Sequence, residues 1–125
     1  MLEANKLCMR YGDKLALKDL SLSVAPGEIF CLLGQNGAGK TTTINIFLGL
    51  IKPTSGEALI NNESVVNNHS IRSSIAYIPE IVQLYGNLSG IENLDFFSRL
   101  AGFTYSRSEL IAFLQEANLE EEAHA

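Results

Sequence analysis

The sequence has little cysteine, no cluster of basic residues and no apolar run long enough to cross a membrane. Its two cysteines, Cys8 and Cys31, lie in apolar, strand-like stretches, which predicts buried thiols in a reducing compartment and not a disulfide framework. Nine Lys and Arg residues are outnumbered by fourteen Asp and Glu residues, so no nucleic-acid partner is expected. His69 and His124 stand in polar surroundings, where we expect surface residues and no zinc site.

The chain is acidic and has the length of one domain. Its 125 residues allow a modest hydrophobic core, and its net charge is −5. No signal-peptide pattern is visible at the N-terminus, so we expect a cytosolic chain. The late glutamates are interpreted as a solvated acidic helix end: Glu116, Glu120, Glu121 and Glu122.

A glycine-rich segment stands between an apolar run and a helix-like run. It reads Gly34-Gln35-Asn36-Gly37-Ala38-Gly39-Lys40-Thr41, a complete G-x-x-x-x-G-K-[ST] pattern. The apolar residues 29–33 before it predict a buried strand, and the residues after it predict a helix that ends at about Leu50. Strand, glycine loop and helix in this order predict a nucleoside triphosphate site, made of these eight residues and Thr42.

The residue types of this loop suit a polyphosphate. Gly34, Gly37 and Gly39 lack a Cβ, so the backbone can adopt positive φ and approach the phosphates closely. The loop N–H groups form an anion nest at the N-terminus of the following helix. Lys40 places a positive charge on the β- and γ-phosphates, and the hydroxyl of Thr41 suits Mg²⁺, which prefers oxygen ligands.

The segments on either side of the loop predict β-structure. Residues 2–24 suggest strands, because Leu20, Leu22 and Val24 alternate with serines and so share one face. Residues 57–60 are interpreted as a short strand, and residues 75–78 as a second buried strand.

The last third of the chain predicts helices. Ser89 to Glu92 and Ser106 to Glu109 both fit the S-x-x-E capping box that begins a helix. Apolar residues recur behind both caps at helical spacing and are expected in the core: Leu94, Phe97, Ala101, Leu110, Phe113, Leu114 and Ala117.

Several motifs, in order from about Leu2 to Leu119, resemble the first half of the nucleotide-binding domain of ATP-binding cassette (ABC) ATPases. Besides the phosphate loop, the similar stretches are Met9-Arg10-Tyr11-Gly12, residues 16–22, residues 50–57, Tyr77-Ile78-Pro79-Glu80, Leu84-Tyr85 and residues 88–94. The resemblance implies an α/β P-loop NTPase fold of the ABC ATPase type. In that fold an N-terminal antiparallel β region joins a partial parallel sheet with helices. Residues 1–125 would be the N-terminal part of one such domain, truncated.

The resemblance also implies roles for two residues outside the loop. Tyr11 occupies the position of an aromatic residue that stacks on adenine, the alternative being a tyrosine that only packs at a strand end. Glu80 stands where the family has its Q-loop glutamine, which contacts Mg²⁺ or its water and links the site to the membrane partner. A carboxylate can still reach the metal, although it adds negative charge beside the γ-phosphate. The expected metal ligands are therefore Thr41 and Glu80, the alternative for Glu80 being a solvated loop glutamate.

The family's remaining motifs are not found in these 125 residues. Leu88-Ser89-Gly90 resembles the start of the LSGGQ signature, but Ile91-Glu92 replaces the rest, and its place directly after the Q-loop is wrong. The Asp-Glu pair that ends the second phosphate-binding strand, the D-loop and the switch His are also missing. We therefore predict no catalytic residue in this chain and very slow or no ATP hydrolysis by it alone.

The resemblance implies the ATP-binding subunit of an ABC transporter, of exporter type. Its cofactors would be ATP and Mg²⁺, and its partners a transmembrane permease subunit and a second ATP-binding subunit in a dimer. It would lie on the cytoplasmic face of the cell membrane. Two alternatives stay open: a soluble, non-transport ABC ATPase, and a module that binds ATP as a sensor without hydrolysing it. A small GTPase fits poorly because no N-K-x-D motif is present.

Overall fold

The computed structural model describes residues 1–119, so the predictions for His124 and for the glutamates at 120–122 lie outside the described residues. The chain divides into two compact units, Met1–Tyr77 and Ile78–Ala125. The first unit contains β1 (Leu2–Tyr11), β2 (Lys14–Val24), α1 (Lys40–Phe47), β3 (Ser55–Ile60), β4 (Glu63–Ser64) and a 3₁₀ turn (Ser70–Ser74). The second contains α2 (Gly90–Leu100) and α3 (Arg107–Glu116).

The sheet of the first unit has the strand order β2-β1-β3-β4, and every pairing in it is antiparallel. β1 and β2 form a hairpin in which Leu2 pairs with Val24 at one end and Tyr11 with Lys14 at the other. The predicted antiparallel β region over residues 2–24 is thereby confirmed. The alternation of Leu20, Leu22 and Val24 follows the pleat, because these half-buried leucine and valine positions are separated by exposed serines.

The core of the first unit lies between this sheet and α1. Leu7 of β1 and Ile46 of α1 are its largest fully buried side chains. Thr43, one turn before Ile46, is buried on the same side of the helix. The buried apolar residues are Ala4, Leu7, Leu17, Ile46, Ala58, Ile60, Val65 and Ile71. The apolar spacing of β1, β2 and α1 therefore anchors the start of α1 to the hairpin.

The prediction of strands at residues 29–33 and 75–78 is wrong. Neither segment forms a strand, and Ile29 and Leu33 are 93% and 89% exposed. A buried parallel strand needs a hydrogen-bonded neighbour on each side, and among residues 1–119 the only ladders are the antiparallel ones above. The described part of the chain thus contains α-helices and an antiparallel sheet, while the partial parallel sheet is not formed by it.

The predicted burial of both thiols is also wrong. Cys31 is exposed because it belongs to the unpaired segment after β2. Cys8 is half-buried on β1, where its Sγ lies 3.4 Å from Asp19 Oδ1 and accepts from the backbone N–H of Asp19 at 3.3 Å. His69 is exposed, as predicted.

Both predicted capping boxes are present in the second unit. Ser89 Oγ accepts from the Glu92 N–H at 3.3 Å, and Glu92 Oε2 accepts from the Ser89 N–H at 2.7 Å. Ser106 and Glu109 repeat the arrangement at 3.3 and 2.8 Å. The backbone N–H and then the hydroxyl of the capping serine favour the charged carboxylate, which lowers the pKa of Glu92 and of Glu109.

The core of the second unit is small. Ile91 and Leu110 are buried, and Leu94, Tyr105, Ile111 and Leu114 pack against them. Phe97 and Phe113, expected in the core, remain 40% and 41% exposed, and Ala101 and Ala117 are also exposed. The two phenylalanines instead pair with tyrosine rings. Phe97 stacks on Tyr85 with the ring centroids 6.1 Å apart, and Phe113 meets Tyr105 edge-on with the ring centroids 5.0 Å apart. Helical spacing alone therefore overestimated the width of the buried stripe.

Asn93 is a buried polar residue that joins α2 to the segment before it. Its Nδ2 donates to the carbonyls of Tyr85, Leu88 and Ser89 at 3.0, 3.1 and 3.1 Å. Its Oδ1 accepts from the Tyr85 N–H at 2.8 Å. Both ends of the amide are satisfied, as burial requires, so this side chain holds residues 85–89 in a defined turn.

Candidate functional site

The glycine-rich segment forms a tight loop that ends in α1. Asn36 and Gly37 make a turn, across which the Ala38 N–H donates to the Gln35 carbonyl at 3.0 Å. The Gly39 carbonyl then accepts from both the N–H and the hydroxyl of Thr43, at 2.9 and 2.8 Å. Because Thr43 is itself buried under the helix, these two bonds fix the end of the loop to the core.

Two glycines of the loop have backbone conformations that other residues rarely adopt. Gly37 has φ +86° and Gly39 has φ +93°. They differ in their surroundings: a Cβ on Gly37 would meet nothing within 4 Å, whereas one on Gly39 would lie 2.7 Å from the Ala16 carbonyl oxygen and 2.5 Å from Leu17 Cδ2. Gly37 is therefore required for conformation, and Gly39 also for the close approach of the loop to β2.

The side chain of Lys40 folds back over the loop. Its ammonium donates to the carbonyl of Gly34 and, at 2.8 Å, to the carbonyl of Gln35. These bonds place a positive charge beside the backbone N–H groups at the start of α1. The combination of a cation, a helix N-terminus and a positive-φ glycine turn is suited to binding an anion with several oxygens.

A pocket of about 340 Å³ opens above the loop, within the first unit. Tyr11 contributes its ring from the end of β1 and is 46% exposed, so its face is accessible to a ligand. Among residues 1–119, no carboxylate lines this pocket, although the chain is acidic. The lining residues are Tyr11, Lys14, Ala16, Asn36, Gly37, Gly39, Lys40, Thr41 and Thr42.

The structure brings most of the predicted nucleotide-binding residues to this one pocket. Of the ten, seven line it; Gly34, Gln35 and Ala38 belong to the loop without lining the pocket. Their roles in binding stay predictions. Glu80 lies in the second unit with its side chain exposed, and its role as a metal ligand also stays a prediction.

Lys14 and Ala16 line the pocket and were missed. A signal for Lys14 was available, because the Gly12-Asp13 pair between two strand-like runs is typical of a two-residue hairpin turn. Such a turn makes Lys14 the direct neighbour of Tyr11. Ala16 has no comparable signal in the sequence, since its position depends on how closely the loop approaches β2.

The pocket offers an oxygen ligand that fits a magnesium ion bound to a polyphosphate. The Thr41 hydroxyl lies at the pocket and is exposed. Within residues 1–119, no group of three or more His, Cys, Asp or Glu side chains could hold a metal by itself. Mg²⁺ usually keeps several waters and takes few protein ligands beside phosphate oxygens, so a single hydroxyl suits it.

Comparison with known proteins gives a family match. A family model described as "ABC transporter" matches residues 17–125. The chain is 39% identical over 119 residues to the probable multidrug ABC transporter ATP-binding protein YbhF of Escherichia coli, covering 94% of this chain and 21% of that protein. It is 38% identical over 128 residues to the Nod factor export ATP-binding protein I of Cupriavidus pinatubonensis, covering 100% of this chain and 39% of that protein.

Solved structures show the same fold. One, described as an ATP-binding subunit of an ABC transporter, superposes with a TM-score of 0.81 at 33% identity, covering 100% of this chain and 53% of that one. A dimeric ATP-binding cassette in a post-hydrolysis state, bound to ADP and Pi, superposes with a TM-score of 0.77 at 26% identity. The match covers 99% of this chain and 60% of that one. The chain thus spans less than two thirds of the length of these relatives. No helix described in this structure has the length and apolar character needed to span a bilayer.

Proposed function

Because this chain belongs to the ABC transporter family of ATP-binding proteins, we propose that it binds MgATP and serves a transporter of exporter type. The observation that carries the proposal is the pocket in which Tyr11 and the phosphate loop face the same space. An aromatic face buries a base without hydrogen bonds, and the loop receives a polyphosphate. The exporter type is supported by the resemblance to a Nod factor export protein.

Different residues of the pocket contact different parts of the nucleotide. The ring of Tyr11 stacks on the adenine, and the N–H groups of the loop residues that line the pocket surround the phosphates. Lys40 moves its ammonium from the loop carbonyls to the β- and γ-phosphate oxygens, exchanging neutral acceptors for charged ones, which form shorter and stronger hydrogen bonds. Thr41 offers its hydroxyl to Mg²⁺, and Glu80 is the second proposed ligand. The metal, when bound, neutralises charge that develops on the transferring phosphoryl group.

A water-orienting carboxylate is the part of phosphoryl transfer that no described pocket residue supplies. We therefore expect this chain alone to bind MgATP with very slow or no turnover. The work of transport would need a second ATP-binding subunit and a transmembrane permease, with the chain on the cytoplasmic face of the membrane. One solved neighbour is a dimer, which supports the first of these partners.

Calorimetric titration of the purified chain with MgATP tests the proposal. Lys40→Ala removes the ammonium at the loop, and Lys18→Ala removes the same charge from an exposed position of β2 that does not line the pocket. We expect saturable binding by the wild type and by Lys18→Ala. A hydrogen bond to a charged group contributes about 1.5–3 kcal/mol, so Lys40→Ala should bind about 10- to 150-fold more weakly.

Two results would contradict the assignment. A folded wild-type chain that binds no MgATP, or equal binding by Lys40→Ala and Lys18→Ala, would show that the loop does not hold phosphate. Copurification tests the transport role separately: an integral membrane protein retained with the tagged chain from detergent-solubilised membranes supports a transporter, and only soluble partners would favour a non-transport ATPase.

A further inference from the structure

Lys14 is a second cationic side chain on the pocket, next to Tyr11. β1 ends at Tyr11 and β2 begins at Lys14, and the two residues are register partners across the Gly12-Asp13 turn. Directly paired residues of an antiparallel ladder point to the same face, with Cβ atoms about 5 Å apart. The tyrosine ring and the lysine stem therefore stand side by side, and both line the pocket.

The Lys14 ammonium is free to take a ligand. It makes no hydrogen bond or ion pair with any residue from 1 to 119, whereas Lys40 is held by two loop carbonyls. Asp13, in the adjoining turn, does not line the pocket, and neither does any other described carboxylate. Two lysines without a facing carboxylate make the pocket locally positive in a chain whose net charge is −5.

We propose that Lys14 binds the α-phosphate of the nucleotide, an inference that rests on the proposed function. With the base on Tyr11 and the β- and γ-phosphates at Lys40, the ribose and α-phosphate cross the space between them. Lys14, the neighbour of Tyr11 on β2, is then the cation nearest to the α-phosphate, which is the phosphate closest to the base. Because ATP and ADP share the α-phosphate, Lys14 contributes equally to binding both, whereas Lys40 favours ATP.

The test is titration of four chains with MgATP and with ADP: wild type, Lys14→Ala, Lys14→Arg and Lys18→Ala. Lys14→Ala should weaken the binding of both nucleotides by about the same factor, roughly three- to fivefold, as expected for a charge pair at an exposed site. The factor should shrink at high salt, because exposed charges are screened. Lys14→Arg keeps the charge and should retain most of the affinity, and Lys18→Ala should match the wild type.

The other outcomes separate the two proposals. If the wild type binds and Lys14→Ala stays within about twofold of Lys18→Ala for both nucleotides, Lys14 has no such role while the proposed function stands. If Lys14→Ala weakens MgATP alone, the lysine contacts the γ-phosphate and the assignment to the α-phosphate is overturned. If the folded wild type binds neither nucleotide, the proposed function itself fails.

Discussion

Replacing Gly39 by alanine tests whether the phosphate loop depends on its close approach to β2. The perturbation adds one methyl group at a residue with φ +93°. That methyl would lie 2.7 Å from the Ala16 carbonyl oxygen and 2.5 Å from Leu17 Cδ2. The Ala16 contact is with backbone, which cannot move aside without shifting β2, and Leu17 is buried in the core, so its side chain can move only against its neighbours.

The magnitude has two parts. An L-residue held in a left-handed conformation costs about 1–3 kcal/mol. Overpacking against a fixed neighbour adds about 1–3 kcal/mol. Gly37→Ala and Gly27→Ala carry the first part alone, because both have positive φ and open space where the Cβ would stand. Gly39→Ala should therefore be destabilising by about 2–6 kcal/mol, which is about 1–3 kcal/mol more than the other two.

Urea unfolding followed by far-ultraviolet circular dichroism measures all three variants against the wild type. We expect the midpoint of Gly39→Ala to be the lowest, with MgATP binding lost because Lys40 follows directly in the chain. Gly27, in the turn after β2, serves as the control remote from the pocket. Equal losses for Gly39→Ala and Gly27→Ala, within about 0.5 kcal/mol, would refute the steric part of the reasoning.

Two further predictions concern the second unit. Asn93→Ala should be destabilising by about 2–4 kcal/mol, because it removes a buried amide that makes four hydrogen bonds and leaves the N–H and carbonyl of Tyr85 unpaired. Hydrogen exchange at residues 85–89 should become faster, and unchanged exchange would contradict the proposed role of Asn93. The capping carboxylates have folded pKa values below the ordinary 4.5, so their stabilising contribution is present above about pH 4.5 and is lost as the pH falls through the lowered value. Glu92→Gln should flatten this pH dependence of α2 helicity, and a profile identical to the wild type would contradict it.

The features that the sequence predicted are those encoded by neighbouring residues. A phosphate loop is eight consecutive residues, and a capping box joins positions three apart, so both can be read without knowing the fold. The hairpin over residues 2–24 is nearly as local. Family resemblance supplied Tyr11, which periodicity does not distinguish from a tyrosine at a strand end.

The features that only the tertiary structure decided depend on residues distant in the chain. The apolar composition of residues 29–33 predicts a strand, but a strand also needs a hydrogen-bonded partner, and the described residues contain none for it. Residue 39 must be glycine because it lies against the backbone of Ala16, more than twenty positions away in the chain. This contact sets how closely the loop approaches β2. The placement of Lys14 on the same pocket as Lys40 likewise depends on that contact. Local patterns thus determined that a phosphate loop forms, whereas packing decided which other side chains face its ligand.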